Sequence, residues 1–211
     1  GGVRSSQRAE GREGWRRDVL TDGDRGMRVS VSRLGAGRVS GARRDPAGKW
    51  IGFLHRDNDL KKPASGWANH ATVMGYFLHR LKDEHSLYRG QEIRGGTHSF
   101  LRHKNFTDVS AQLAADEAAL TYRISPTEFE KSEYPLQVSL ALRYTLRGAT
   151  LEIGFEFSNH EPELTAHLEF GLHPGFVSTS FESFELEMPA GPYRRWFSPK
   201  NSLSGETEET E

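Results

Sequence analysis

The chain contains no cysteine, which excludes disulfide frameworks, thiolate zinc sites and cysteine nucleophiles together and leaves the redox compartment open. It also lacks any apolar run near the roughly 18–20 residues that a membrane-spanning helix needs, and the first residues lack the apolar centre of a signal peptide. The expectation is a soluble, cytoplasmic protein. A surplus of either charge is missing as well: 28 Lys and Arg stand against 29 Asp and Glu, a formal net charge of -1. Neither nucleic acid nor an acidic membrane surface is an expected partner for that balance.

What is present suits one large all-β domain. Hydrophobic residues make up 35% of 211, enough to bury a core in a single sandwich of this length. Residues 1–17 are Gly, Arg, Glu, Ser and Gln with almost no apolar period, so a flexible lead-in is expected there and the domain is placed at 18–211. Met27, Val29 and Val31 alternate with polar residues, the two-residue period of a half-buried strand. Val138, Leu140, Leu142, Tyr144 and Leu146 share one face of a longer segment. Arg147-Gly148 turns the chain, and Leu151, Ile153, Phe155 and Phe157 repeat the pattern, which predicts a long antiparallel hairpin. Leu113 to Leu120 is Ala-rich and reads equally as helix or as a hairpin through Ala115-Asp116. Strands punctuated by Gly, Pro and Asn, with few amphipathic helices, point to a large antiparallel sandwich.

Without cysteine, neutral-pH acid or base chemistry falls most often to His, Asp or Glu. Of the 9 histidines, two sit in distinctive company: His98 in Gly95-Gly96-Thr97-His98-Ser99-Phe100-Leu101-Arg102-His103, and His173 in Phe170-Gly171-Leu172-His173-Pro174. Proline disfavours the helical region for its predecessor, so His173 is expected to be extended with a fixed direction. Read from the sequence without any resemblance, each is first of all a satisfied polar residue in a turn. The stretch from Gly66 to Leu81 gathers Asn69, His70, His79 and Arg80 among aromatics, a mixture that suits the apolar faces and hydroxyl rim of a sugar. A buried strand with Arg80 in a structural ion pair is the other reading. Arg102-His103-Lys104 could face a phosphate or simply solvent. No histidine pair has a zinc-like partner set.

In order along the chain, these segments resemble the aldose 1-epimerase family and its galactose-mutarotase-like superfamily. His79-Arg80-Leu81 resembles the arginine of the early sugar-binding strand. Gly96 to Phe106 resembles the His-Gly-Phe-Ala-Arg signature, with His98 on its first histidine. Tyr134-Pro135 is similar to a Tyr-Pro-Phe strand start, and the hairpin from Leu140 to Asn159 follows. Phe170 to Pro174 is similar to the Gly-x-His-Pro-Tyr-Phe motif, and Met188-Pro189-Ala190-Gly191 with Ser204 to Thr207 resembles a later loop. Ser99 stands where the family has Gly, and Gly175 where it has an aromatic. The resemblance covers about Trp15 to Glu211.

The resemblance implies a galactose-mutarotase-like supersandwich and interconversion of α and β anomers of an aldohexose by ring opening and reclosure, with no cofactor and no metal. By position, His173 would protonate the ring oxygen, His98 would assist there, and Arg80, Asn69, His79 and Arg102 would hold the sugar. The family's proton-abstracting glutamate lies in a strand near the C-terminus, and residues 1–211 contain no match for it. The expectation is therefore a domain lacking its last strands and weak or absent activity. The resemblance also implies two competitors, a hexose-6-phosphate 1-epimerase using Arg94, Arg102 or Lys104, and a sugar-binding domain without catalysis.

Overall fold

The computed structural model describes residues 2–10, 15–55 and 71–210. Five antiparallel strands in sequence order form the first sheet: β1 (Val3–Glu10), β2 (Trp15–Asp22), β3 (Met27–Ser32), β4 (Arg38–Arg44) and β5 (Trp50–Gly52). Within the stretch 1–17, expected as a flexible lead-in, residues 3–10 form β1 and residues 15–17 start β2, paired from Val3 opposite Asp22 to Glu10 opposite Trp15. Backbone hydrogen bonds can recruit a strand with almost no apolar period, so composition is a poor guide there. On β3 the expected alternation is present, yet Ser30 and Ser32 are buried as well as Met27, Val29 and Val31. Ser32 Oγ accepts from Leu34 N at 3.1 Å, which satisfies one of these hydroxyls locally.

Next come β6 (Ala71–Tyr76), then the small hairpin β7 (His85–Tyr88) and β8 (Gln91–Arg94). The second large sheet follows, built from β9 (Asp108–Leu113), β10 (Glu117–Ile124), β11 (Val138–Arg147) and β12 (Thr150–Asn159) in the order β12-β11-β10-β9. The Ala-rich segment resolves as a hairpin, with Ala114 N donating to Glu117 O at 2.9 Å. Burial along β11 alternates strictly until its last residue, with Val138, Leu140, Leu142, Tyr144 and Leu146 inward, as the hairpin pattern predicts. Its partner β12 buries less, and Phe155 is 53% exposed. Finally β13 (Glu169–Pro174) pairs with β6, and β14 (Tyr193–Trp196) pairs with β15 (Thr207–Thr210). No helix among the described residues is long and apolar enough to cross a membrane.

The two large sheets face one another across a shared core in which Leu20, Val29 and Val31 of the first meet Leu120, Tyr122, Leu142 and Tyr144 of the second. Four buried tyrosines each contribute an apolar ring and a hydroxyl that reaches an acceptor. Tyr76 bonds Val138 O at 3.1 Å, Tyr144 bonds Ala36 O at 2.6 Å, Tyr134 bonds His167 O at 2.9 Å, and Tyr122 bonds Asp18 Oδ2 at 2.9 Å. Asp18 is 2% exposed. Arg33 grips it with Nε at 3.0 Å and a second guanidinium nitrogen, Nη2, at 3.1 Å. That forked pair compensates a carboxylate that has left water, and Tyr122 occupies part of its remaining hydrogen-bonding capacity.

The loop after β3 connects the first sheet to the segment that follows the His98 turn. Gly35 N donates to Lys104 O at 2.7 Å, and Leu34 bridges Asn105. Gly35 adopts φ +71°, and a Cβ there would lie 2.8 Å from both the Cα and the carbonyl oxygen of Arg102. Only glycine allows this approach of two backbones.

Two stability measurements follow. Asp18→Asn should lower the unfolding free energy by about 3 kcal/mol, because it leaves the Arg33 charge without its counterion, whereas Tyr122→Phe should cost about 1 kcal/mol. Urea denaturation distinguishes them, and equal small losses would show that the pair does not carry the stability assigned to it. Gly35→Ala should cost about 1–3 kcal/mol through strain and overlap. In an amide correlation spectrum it should displace the resonances of Leu101 to Lys104 more than those of the β11–β12 hairpin.

Candidate functional site

The site begins with β6, whose six residues are all buried. Leaving it, the chain bends through Phe77 and Leu78 to His79, which takes a left-handed φ of 61°. Leu78 N donates to Glu169 Oε2 at 2.8 Å, pinning this bend to β13. A second turn, after Gly95-Gly96, places His98 and Ser99 at φ 62° and 61°. His98 N donates to His79 O at 2.8 Å, and Gly75 N donates to His98 O at 3.4 Å, so the two turns are held together through their main chains. Left-handed φ is uncommon outside glycine, and a cluster of such residues marks a region whose surroundings impose its conformation. Ser99 occupies the position where the resemblance has Gly, and its positive φ is the conformation that glycine adopts without a Cβ penalty.

His173 arrives from the opposite direction. It lies on β13 opposite Thr72 of β6, one residue before Pro174, extended as its sequence context predicts. Its ring centroid is 5.6 Å from that of His98. Leu101–His103 forms a single tight turn directly after Phe100, with Leu101 buried against Gly75 and Arg102 half-buried. Arg102 Nε lies 3.1 Å from His103 Nε2.

The electrostatics of this corner are one-sided. Burial pushes the His98 imidazole below its usual pKa, and neighbouring His173, Arg102, His79 and Arg80 push it further down. Burial and the adjacent Arg80 likewise lower Arg102. Among the described residues, the charged neighbours acting on His98 are all basic, so its neutral form is favoured. His79 Nε2 and His98 Nδ1 are both buried and have no hydrogen-bond partner among the described residues. An unmet buried polar atom costs about 1–3 kcal/mol, which a bound hydroxyl would relieve.

The structure thus brings together His98, His173, His79, Arg80 and Arg102 from three separate stretches of sequence. Arg80 is exposed at the end of that bend. Asn69 and His70 lie outside the described residues. Two cations considered for a phosphate are engaged elsewhere: Arg94 with Glu92 and Lys104 Nζ with Glu133 Oε2, each at 2.6 Å. Sequence reasoning missed the turn Pro199–Asn201. Its Lys200 and Asn201, at φ 53° and 62°, line a cavity of about 200 Å³ together with Arg80 and Thr97. Nothing in that polar stretch signals the contact, because it depends on tertiary placement alone.

The family model for aldose 1-epimerase matches residues 18–196. Two LacX proteins of Lactococcus lactis subsp. lactis, plasmid and chromosomal, are 28% and 27% identical over 131 residues, 57% of this chain and 42% of theirs. Among solved structures, a galactose mutarotase related enzyme from Lactobacillus acidophilus superposes with a TM-score of 0.69 at 23% identity, covering 88% of this chain and 60% of that one. A galactose mutarotase-like protein from Clostridium acetobutylicum gives 0.69 at 14% identity over 98% of this chain and 64% of its own. The chain therefore spans less than half the length of these curated relatives and under two thirds of these structural neighbours. With its galactose-mutarotase-like sandwich and a family match across most of its length, the chain belongs to the aldose 1-epimerase family.

Proposed function

We propose that this chain binds an aldohexose at the His98–His173 corner and takes part in interconverting its α and β anomers. The observation that carries the reading is the juxtaposition of two imidazoles 5.6 Å apart, one of them with an unbonded buried nitrogen. A pyranose offers a ring oxygen and a rim of hydroxyls to such a pair. In ring opening the C1–O5 bond breaks as a proton reaches O5 and another leaves the C1 hydroxyl, giving the free aldehyde. Rotation about C1–C2 and reclosure then deliver the other anomer. His173 is assigned as the proton donor to O5, since an imidazole can hold and release a proton near neutrality. His98, whose neutral form is favoured, is assigned to accept a hydrogen bond from a sugar hydroxyl through its free nitrogen. Arg80 and Arg102 supply forked donors to hydroxyls, and His79 a third contact.

The reaction also requires an acceptor for the C1 proton. Among the described residues, no carboxylate figures among the charged groups acting on His98, and this one observation favours a second reading, sugar binding without catalysis. Exchange NMR of the anomeric protons of galactose and glucose separates the two. Catalysis predicts exchange above the spontaneous rate, falling at least about 10²-fold in His173→Ala. Saturable binding at the spontaneous rate would support the binding reading, and the absence of both would remove the site altogether.

A pH profile tests His98 itself. Protonation removes the lone pair that the reading requires, and the lowered pKa delays protonation. Binding should therefore hold steady as the pH falls to the ordinary imidazole value of about 6.5 and weaken only below it. Arg102→Gln removes one of the cations holding that pKa down, so its acid limb should move to higher pH. A limb that stays in place in the variant would exclude this role for Arg102.

A further inference from the structure

The first sheet gathers two cations around one aromatic ring on the side turned away from the shared core. Arg28 of β3 stands opposite Ala42 of β4, and Ala42 opposite Gly52 of β5; two residues along, Arg44 stands opposite Trp50. Residues two apart on a strand share a face, so these five project from the same side, opposite to Val29. Ala42 and Gly52 fill little of it and leave room for the indole between the arginines. The guanidinium carbons of Arg28 and Arg44 lie 4.2 and 4.8 Å from the centroid of the Trp50 ring. Gly26, at φ +65°, opens further space, because a Cβ there would lie 2.7 Å from the Cβ of Arg44.

Two like charges are thus drawn to one ring by cation–π attraction although they repel each other. Among the described residues their contacts are the indole and, for Arg44, the Gly23 carbonyl at 3.4 Å. The carboxylates of the adjoining turns serve the backbone instead. Asp22 Oδ1 accepts from Asp24 N and Arg25 N at 3.0 and 2.9 Å, Asp24 Oδ2 from Gly2 N at 2.7 Å, and Asp45 Oδ1 from Lys49 N at 2.8 Å. Arg28 and Trp50 are half-buried and Arg44 is exposed, so a solute can reach the pair.

We propose that Arg28, Arg44 and Trp50 form an anion site for a phosphate dianion, free or carried as a small monoester. A phosphate monoester bears a charge of about −1.5 to −2 near neutral pH and offers three terminal oxygens, enough to engage both guanidiniums. A carboxylate has one charge and two oxygens, and a single forked arginine exhausts it. Stacking on the indole holds both guanidiniums beforehand and so reduces the entropy lost on binding. The balanced net charge of -1 gives long polyanions no general attraction, while a compact pair of cations still draws a small one. The site stands apart from the sugar reading, since none of these three residues figures among the groups acting on His98.

The test follows the Trp50 indole N–H by NMR, its resonance assigned through its loss in Trp50→Phe, during titration with methyl phosphate, inorganic phosphate and acetate. Methyl phosphate should shift it saturably and bind about tenfold more tightly than acetate. Arg28→Gln and Arg44→Gln should each weaken methyl phosphate at least about tenfold, whereas Arg94→Gln, the same change of charge on β8, should not. Binding should also weaken as the pH falls through about 6, where the monoester takes up its second proton. Inorganic phosphate as tight as methyl phosphate would assign the site to the free ion, and a weaker one to the ester. No saturable shift, acetate as tight as methyl phosphate, or an affinity unchanged in both arginine variants would each overturn the proposal.

Discussion

The structure depends on the burial of Tyr76 at the end of β6. Its ring sits edge-on to those of Phe100, Phe129, Tyr134 and Phe157 at centroid distances of 4.8–5.8 Å. Its hydroxyl cannot remain unpaired at that depth, and Val138 O at the start of β11 accepts from it. That bond and the ring contacts fix β6 against the second sheet, and β6 in turn fixes much of the site. Thr72 sets the height of His173 across the strand pair, Gly75 leaves room for Leu101 and accommodates the His98 turn, and the bend after Tyr76 delivers His79 and Arg80. Desolvation pushes the Tyr76 hydroxyl well above its ordinary pKa, so it stays a neutral donor throughout the working range.

The one-sided charge at the site follows from the same packing. A strand buried along its whole length brings the His98 turn into a place that is only partly solvated, and the basic groups gathered there cannot all hold protons cheaply. Lowering His98 is the result. The nearby cavity has the opposite character, with opposed charges in one wall and open hydrogen-bonding groups.

Much of this was legible in the sequence where side chains dictate geometry. The β11–β12 hairpin follows from strict alternation, because the period of a strand is two and only one face is buried. The extended backbone at His173 follows from Pro174. Where the backbone dictates geometry, the sequence was silent. The strand β1 has too few apolar residues to announce itself, and β9–β10 is Ala-rich enough to suit a helix. The left-handed conformations of His79, His98 and Ser99 are imposed by neighbours that no local pattern names. His98 and His173 stood out individually through their glycine and proline contexts and through resemblance. That they meet depends on the β13–β6 register, a long-range pairing. Asn201 and Lys200 could be found only once the turns were seen side by side.

The hydrogen bond from Leu78 to Glu169 spans 91 residues. The β11–β12 hairpin and the meander of the first sheet need only short loops, but β6 and β13 can pair only after the intervening chain has been brought back on itself. The entropy of closing so long a loop must be met before any contact within it returns free energy. Intermediates on the way to the native state can therefore contain most of the sheet structure and still have no pocket. Recovery of ligand recognition should lag behind recovery of secondary structure when the chain refolds.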